Sequence, residues 1–147
     1  MLKSSFLEVY TKFKLNFYRG IFERLKDREG SLSAAEAYAA EVIHALDGPT
    51  VSEFAHFLQV SGPNATYKVN SLIKKGYVKK VKSKEDGRKL LLYATPKFME
   101  YYAINQNYID VVMDRINNRF TQEELAKFDE MLTVISTELM VETGERL

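Results

Sequence analysis

Apolar residues recur at helical spacing at Phe6, Val9, Tyr10, Phe13, Phe17, Ile21 and Leu25, which predicts a helix over 4–28. Leu7, Leu15, Tyr18 and Phe22 lie off that stripe, so the helix is apolar on more than one face and wants more than one neighbour. Near the end of a small domain, the second neighbour can be another chain. Asp27-Arg28-Glu29-Gly30 breaks the pattern. Ser33-Ala-Ala-Glu36 has the form of a capping box, and the helix it opens runs to about Leu46, where Asp47-Gly48-Pro49 stops it. Thr50 can cap a short helix from Val51 to Leu58, with Val51, Phe54, Ala55 and Leu58 on one face. Gln59-Val60-Ser61-Gly62 is a tight connection, and Pro63 stands where a first helical turn tolerates proline. The next helix, Asn64 to Lys75, turns Ala65, Val69, Leu72 and Ile73 inward and ends at Gly76.

Beyond that glycine the period changes from helical to extended. Tyr77 to Val81 and Lys89 to Tyr93 read as two strands joined by Lys82 to Arg88, a hairpin by composition. Thr95-Pro96 begins a long helix over 96–119, and Thr121-Gln-Glu-Glu124 caps a last one through Leu139. The fold class is mainly α with a small β-hairpin. A short helix, a tight turn and a second helix followed directly by a hairpin have the proportions of a winged helix-turn-helix. At 147 residues the chain is one domain, with that lobe over about 33–95 and helical segments over 1–30 and 96–147.

Charge changes this picture more than composition does. The net charge is +1, yet between Lys68 and Lys97 ten basic residues meet only Glu85 and Asp86, a surplus of eight positive charges. Elsewhere eleven basic residues meet eighteen acidic ones. Such a polarised chain presents one patch to a polyanion, against the alternative of a lysine-rich exposed face without a partner. The chain has no cysteine, which excludes disulfides, thiolate nucleophiles and cysteine metal sites. No apolar run approaches the ~20 residues of a membrane span. The N-terminus interleaves lysines with its apolar positions and has no secretory cleavage pattern, so a cytoplasmic location is expected.

Duplex DNA suits the pattern. A helix about 10–12 Å across fits the major groove. The helix at Pro63 would face outward with Asn64, Thr66, Tyr67, Asn70 and Ser71, hydrogen-bonding side chains with no acid among them. Ser61 stands just before it. Lys68, Lys74 and Lys75 can meet phosphates, as can Lys84 and its neighbours in the hairpin. His44 and His56 each have a glutamate at helical spacing, Glu41 and Glu53, but read as ordinary histidines, and no metal or cofactor is expected. No Gly-rich phosphate loop, nucleophile set or paired-carboxylate motif marks an enzyme; Asp110 and Asp114, one turn apart, belong to the long helix. Asn64-Ala-Thr66 matches a glycosylation acceptor that a cytoplasmic chain would not use.

These residues carry a resemblance. The run from Thr50 to Thr95 resembles the winged helix-turn-helix of the MarR (multiple antibiotic resistance regulator) family. LIKKGYVKKV, 72–81, is similar to that family's end of the recognition helix, and Asp86-Gly-Arg88 followed by Leu90, Leu92 and Thr95 to its wing. The sequence departs from the pattern at Ala94, at Phe98 and in the Gly62-Pro63 start of the recognition helix. The resemblance implies that the flanking helices form a homodimer, that Arg88 enters the minor groove, and that Asp86 orients it. A carboxylate can hold a guanidinium in a bidentate geometry. Overall it implies a sequence-specific regulator, a repressor, on a pseudo-palindromic double-stranded operator. The aromatics of 6–22 and 93–108, Phe13, Phe17, Tyr101 and Tyr108 among them, read as core and dimer interface, or as the lining for a small apolar or aromatic effector. The competing class is a winged protein-interaction module that binds no DNA.

Overall fold

The computed structural model describes residues 1–25 and 32–142; at 21–25, 101 and 103–105 it describes the backbone alone. The expected helix break at Asp27–Gly30 lies outside the described residues. The elements are α1 (Leu2–Leu25), α2 (Ala34–Leu46), α3 (Val51–Leu58), α4 (Gly62–Lys74), β1 (Val78–Lys82), β2 (Leu90–Ala94), α5 (Pro96–Arg119) and α6 (Gln122–Val134), followed by one π-helical turn, Ile135–Leu139. The chain divides into two compact units, 1–105 and 106–147.

In the first unit, hydrogen bonds fix where each helix starts. Ser33 Oγ accepts from the Glu36 N–H at 3.2 Å while the Glu36 carboxylate accepts from the Ser33 N–H at 3.2 Å, the expected capping box. Thr50 and Glu53 form a second box at the start of α3. Helix α4 begins two residues before Asn64, because Ser61 is its N-cap and its hydroxyl accepts from the Asn64 N–H at 3.3 Å. Pro63 then occupies the second helical position, where no helical N–H is lost.

At the other end of α4, Gly76 takes φ +84°, a left-handed conformation that favours glycine. Its N–H donates to the Ile73 carbonyl, and the Tyr77 N–H reaches the Leu72 carbonyl at 2.9 Å. The chain thereby turns straight from α4 into β1. Strands β1 and β2 pair antiparallel with Val78 opposite Ala94 and Lys80 opposite Leu92. The Leu92 N–H also donates to the Pro49 carbonyl at 2.8 Å, tying the turn after α2 to the hairpin. Gly48, at φ +83°, permits that turn; a Cβ there would lie 2.6 Å from the Tyr93 hydroxyl oxygen.

Phe54, Ile43, Val69, Leu72 and Leu92 are fully buried and draw α2, α3, α4 and the hairpin around one core with Leu32, Val78 and Phe98. Each large side chain contributes roughly 1.5–3 kcal/mol by leaving water. Thus the helix-turn-helix and wing rest on a single apolar centre, and their polar faces point outward from it.

The second unit differs. Helix α6 is capped by the predicted Thr121–Glu124 box, yet none of its residues is buried. Phe120, Phe128, Met131, Leu132, Val134 and Leu139 are all exposed. The expected continuous helix to Leu139 instead widens into the π turn at Ile135. There the Thr133 carbonyl accepts from both Ser136 Oγ at 3.0 Å and Thr137 Oγ1 at 2.8 Å, and hydroxyls that bond back to a helical carbonyl distort the ladder.

Candidate nucleic-acid interface

Helix α4 separates its residues by face. Ala65, Val69 and Leu72 are buried, whereas Asn64, Thr66, Tyr67, Asn70 and Lys74 are exposed. Tyr67 keeps 77 % of its surface open, a large exposure for an aromatic ring. The helix contains no acidic residue, so its N-terminal N–H groups and dipole face a partner without a competing carboxylate. Ser61 is exposed but already engaged as the cap, and Lys68 is half-buried.

Two residues on the flank of α4 turn toward α2. Ser71 Oγ donates to Glu36 Oε2 at 3.0 Å, and Lys75 Nζ lies 2.9 Å from Glu36 Oε1. Burial alone would raise the Glu36 carboxyl, but the bonds from Lys75, Ser33 and Ser71 together hold it below its ordinary value. Beyond the C-terminus of α4, Lys97 Nζ donates to the Lys75 carbonyl at 2.7 Å and lies 4.5 Å from the Tyr77 ring centroid. Thr95 Oγ1 donates to the Gly76 carbonyl at 2.6 Å. The helix is therefore fastened at its start, its flank and its end.

The wing is closed by short-range bonds. The Ser83 N–H reaches the Lys89 carbonyl at 2.9 Å, and the Lys89 N–H the Asp86 carbonyl at 3.0 Å. Ser83 Oγ accepts from the N–H groups of Glu85 and Asp86. Asp86 Oδ1 accepts from the backbone N–H of Arg88 at 3.0 Å. The carboxylate thus acts on Arg88 through the backbone, as an Asx turn, where a guanidinium pair was expected. The Arg88 side chain stays exposed at the tip, with Lys79, Lys80, Lys82, Lys84 and Lys89 exposed along the hairpin.

Sequence reasoning located Asn64, Thr66, Tyr67, Asn70, Lys74, Lys84 and Arg88 on open surface, and it missed the fastening residues. Ser83 and Lys97 carried no signal beyond their types. Glu36 announced its capping role, but nothing local announces a partner 35 or 39 residues away.

The aromatic candidates are more scattered. Phe13 and Phe17 are half-buried on α1, and Phe17 stacks on Tyr38 of α2 with centroids 5.9 Å apart. The side chain of Tyr101 lies outside the described residues. Tyr108 belongs to the second unit and is half-buried there. On α2, His44 meets the ring of Tyr102 edge-on at 4.8 Å. Among the described residues no group of three His, Asp or Glu side chains could hold a metal ion, and no helix is long and apolar enough to cross a membrane.

Between Tyr38 and His44, burial pushes the Glu41 carboxyl up to about 7. A carboxyl raised on folding contributes stability that is present below its ordinary range near 4.5 and lost as pH climbs through about 7. Glu41→Gln should therefore raise the melting temperature near neutral and alkaline pH and leave it unchanged only in acid below about pH 4.5. The gain should be about 1–2 kcal/mol, once the partly exposed carboxyl is discounted for solvent screening. Melts by circular dichroism on both sides of neutrality check it; a gain that is equal in acid would refute it.

Comparison with known proteins agrees with this geometry. The model of the MarR family matches residues 31–89. FabT of Streptococcus pneumoniae, solved in complex with DNA, is similar at 20% identity and TM-score 0.58, over 92% of this chain and 92% of that one. A MepR mutant from a multidrug resistant S. aureus clinical isolate gives TM-score 0.67 at 15% identity, over 95% of this chain and 98% of that one. Another S. aureus MepR mutant, bound to an oligodeoxyribonucleotide, gives 0.54 at 17% identity, over 95% and 99%. No curated protein matches the chain. The likeness to solved structures shows a shared fold, and the segment match coincides with the lobe that carries the wing motif.

Proposed function

For a chain whose winged lobe, residues 31–89, matches the model of the MarR family, we propose a homodimeric, sequence-specific DNA-binding regulator of that family. The observation that carries this reading is the outward face of α4, polar and free of acid, followed directly by a lysine-rich wing with Arg88 exposed at its tip. Asn64, Thr66, Tyr67 and Asn70 would read base edges, and Lys74, Lys84 and the half-buried Lys68 would meet phosphates. Two relatives of the same fold were solved with DNA. Dimerisation would use the apolar side chains that α1 and α6 leave exposed. The reading includes repression, and release or recruitment by a small apolar or aromatic ligand near Phe13 and Phe17.

Selection of bound duplexes from a random DNA pool, with and without a small-molecule panel, tests the reading. The expected product is a pseudo-palindrome with half-sites roughly 10–11 base pairs apart. Selection without enrichment, together with elution from heparin at low salt, would point to a winged protein-interaction module instead.

A further inference from the structure

Ten cations lie between Lys68 and Lys97, and among the described residues Lys75 is the only one of them in an ion pair. Its partner is Glu36, whose side chain keeps 17% of its surface exposed against 30% for Lys75. The same carboxylate accepts from the Ser33 N–H and from Ser71 Oγ, so it joins the N-cap of α2 to the last turns of α4. Ser71 and Lys75 are one helical turn apart and therefore lie on one face. Two attachments on one face fix the rotation of a helix about its own axis as well as its tilt. That rotation decides which of Asn64, Thr66, Tyr67 and Asn70 can address a base edge.

The ion pair has a second effect. A lysine that meets phosphate strengthens binding to every sequence alike, and it carries no base information. Lys75 is the C-cap of the element that carries the base-reading residues, next to the exposed Lys74. Paired to Glu36, it is withheld from the backbone, while Lys74 remains open to it.

We infer that Glu36 is a specificity-determining residue: it sets the rotation of α4 through Ser71 and Lys75 and keeps Lys75 from adding sequence-independent affinity. This rests on the reading that α4 enters duplex DNA. Glu36 touches no DNA in this scheme and acts through the recognition helix, as a positioning residue. Glu36→Gln retains an oxygen for the cap and an amide that can donate to Ser71 Oγ, but removes the charge that occupies Lys75.

Fluorescence anisotropy on the selected operator and on a random duplex, across a salt series, tests it with the full chain. Glu36→Gln should steepen the salt slope by about 0.9 for each protomer and tighten random-duplex binding roughly fivefold per freed contact near physiological salt. The operator-to-random ratio should fall. Lys75→Gln in the native background should leave the slope unchanged, whereas Lys74→Gln should lower it by about 0.9 for each protomer. The double variant Glu36→Gln with Lys75→Gln should return the slope to its native value, which mere loosening of the fold would not do.

A native slope in Glu36→Gln overturns the inference. So does an equal loss of slope in Lys75→Gln and Lys74→Gln, an arm that stands even where Glu36→Gln folds poorly. Absence of any duplex binding by the native chain is a separate result: it removes the DNA reading itself, and the inference with it.

Discussion

Arg88→Ala should weaken operator binding by about 1–3 kcal/mol for each wing, so on the order of a thousandfold for a protein that uses two. The fold should not notice the change. Arg88 is exposed, and the bonds that close the wing come from Ser83, Asp86 and the backbone of Lys89, none from the guanidinium. An arginine inserted in a narrow minor groove meets enhanced negative potential, so the loss should be largest on operators with A·T-rich flanks. Asp86→Ala should weaken binding less, because it frees one backbone N–H and loosens the turn while the arginine remains. Anisotropy with matched melting curves measures both. Equal operator affinity for the Arg88→Ala and native proteins would take the wing out of the mechanism.

The order of elements was legible because the signals were local. Ser33 with Glu36, and Thr121 with Glu124, fixed helix starts through a spacing of three, and Gly76 marked the exit of α4 through a conformation that glycine adopts without strain. The outward residues of α4 were legible for the same reason, since Ala65, Val69 and Leu72 define its buried face and leave the rest outward. What escaped depends on contacts between distant positions. Ser71 reads as a polar residue of the exposed face, and only the fold reveals Glu36 beside it. Asp86 carries the right charge to aim a guanidinium, yet its oxygen accepts from the backbone N–H of Arg88, two residues on. The π turn at Ile135 escaped as well, because periodicity does not register hydroxyls competing for the Thr133 carbonyl.

The other large effect should come from the second unit, through assembly. Its α6 buries none of its own residues, and an apolar groove of about 400 Å³ is lined by Ile116, Phe120, Leu125, Phe128 and Met131 together with Glu124 and Lys127. α6 and the π turn after it leave Met131, Leu132 and Leu139 close to half exposed or more, a large apolar surface of the kind that marks an interaction face. Phe128→Asp puts a charge on that face without opening a cavity in the core, because Phe128 is itself exposed. On the proposed dimer, the variant should sediment as a monomer at concentrations where the native chain is expected to pair, and the melting behaviour of the winged lobe should persist. Two half-site contacts held in one particle gain about 10²–10⁴ over a single one, so operator affinity should fall by that order and the salt slope by about half. Binding to an isolated half-site should remain. A Phe128→Asp protein that stays dimeric would place the interface elsewhere. One that turns monomeric yet binds the full operator undiminished would show that this chain reads DNA one lobe at a time.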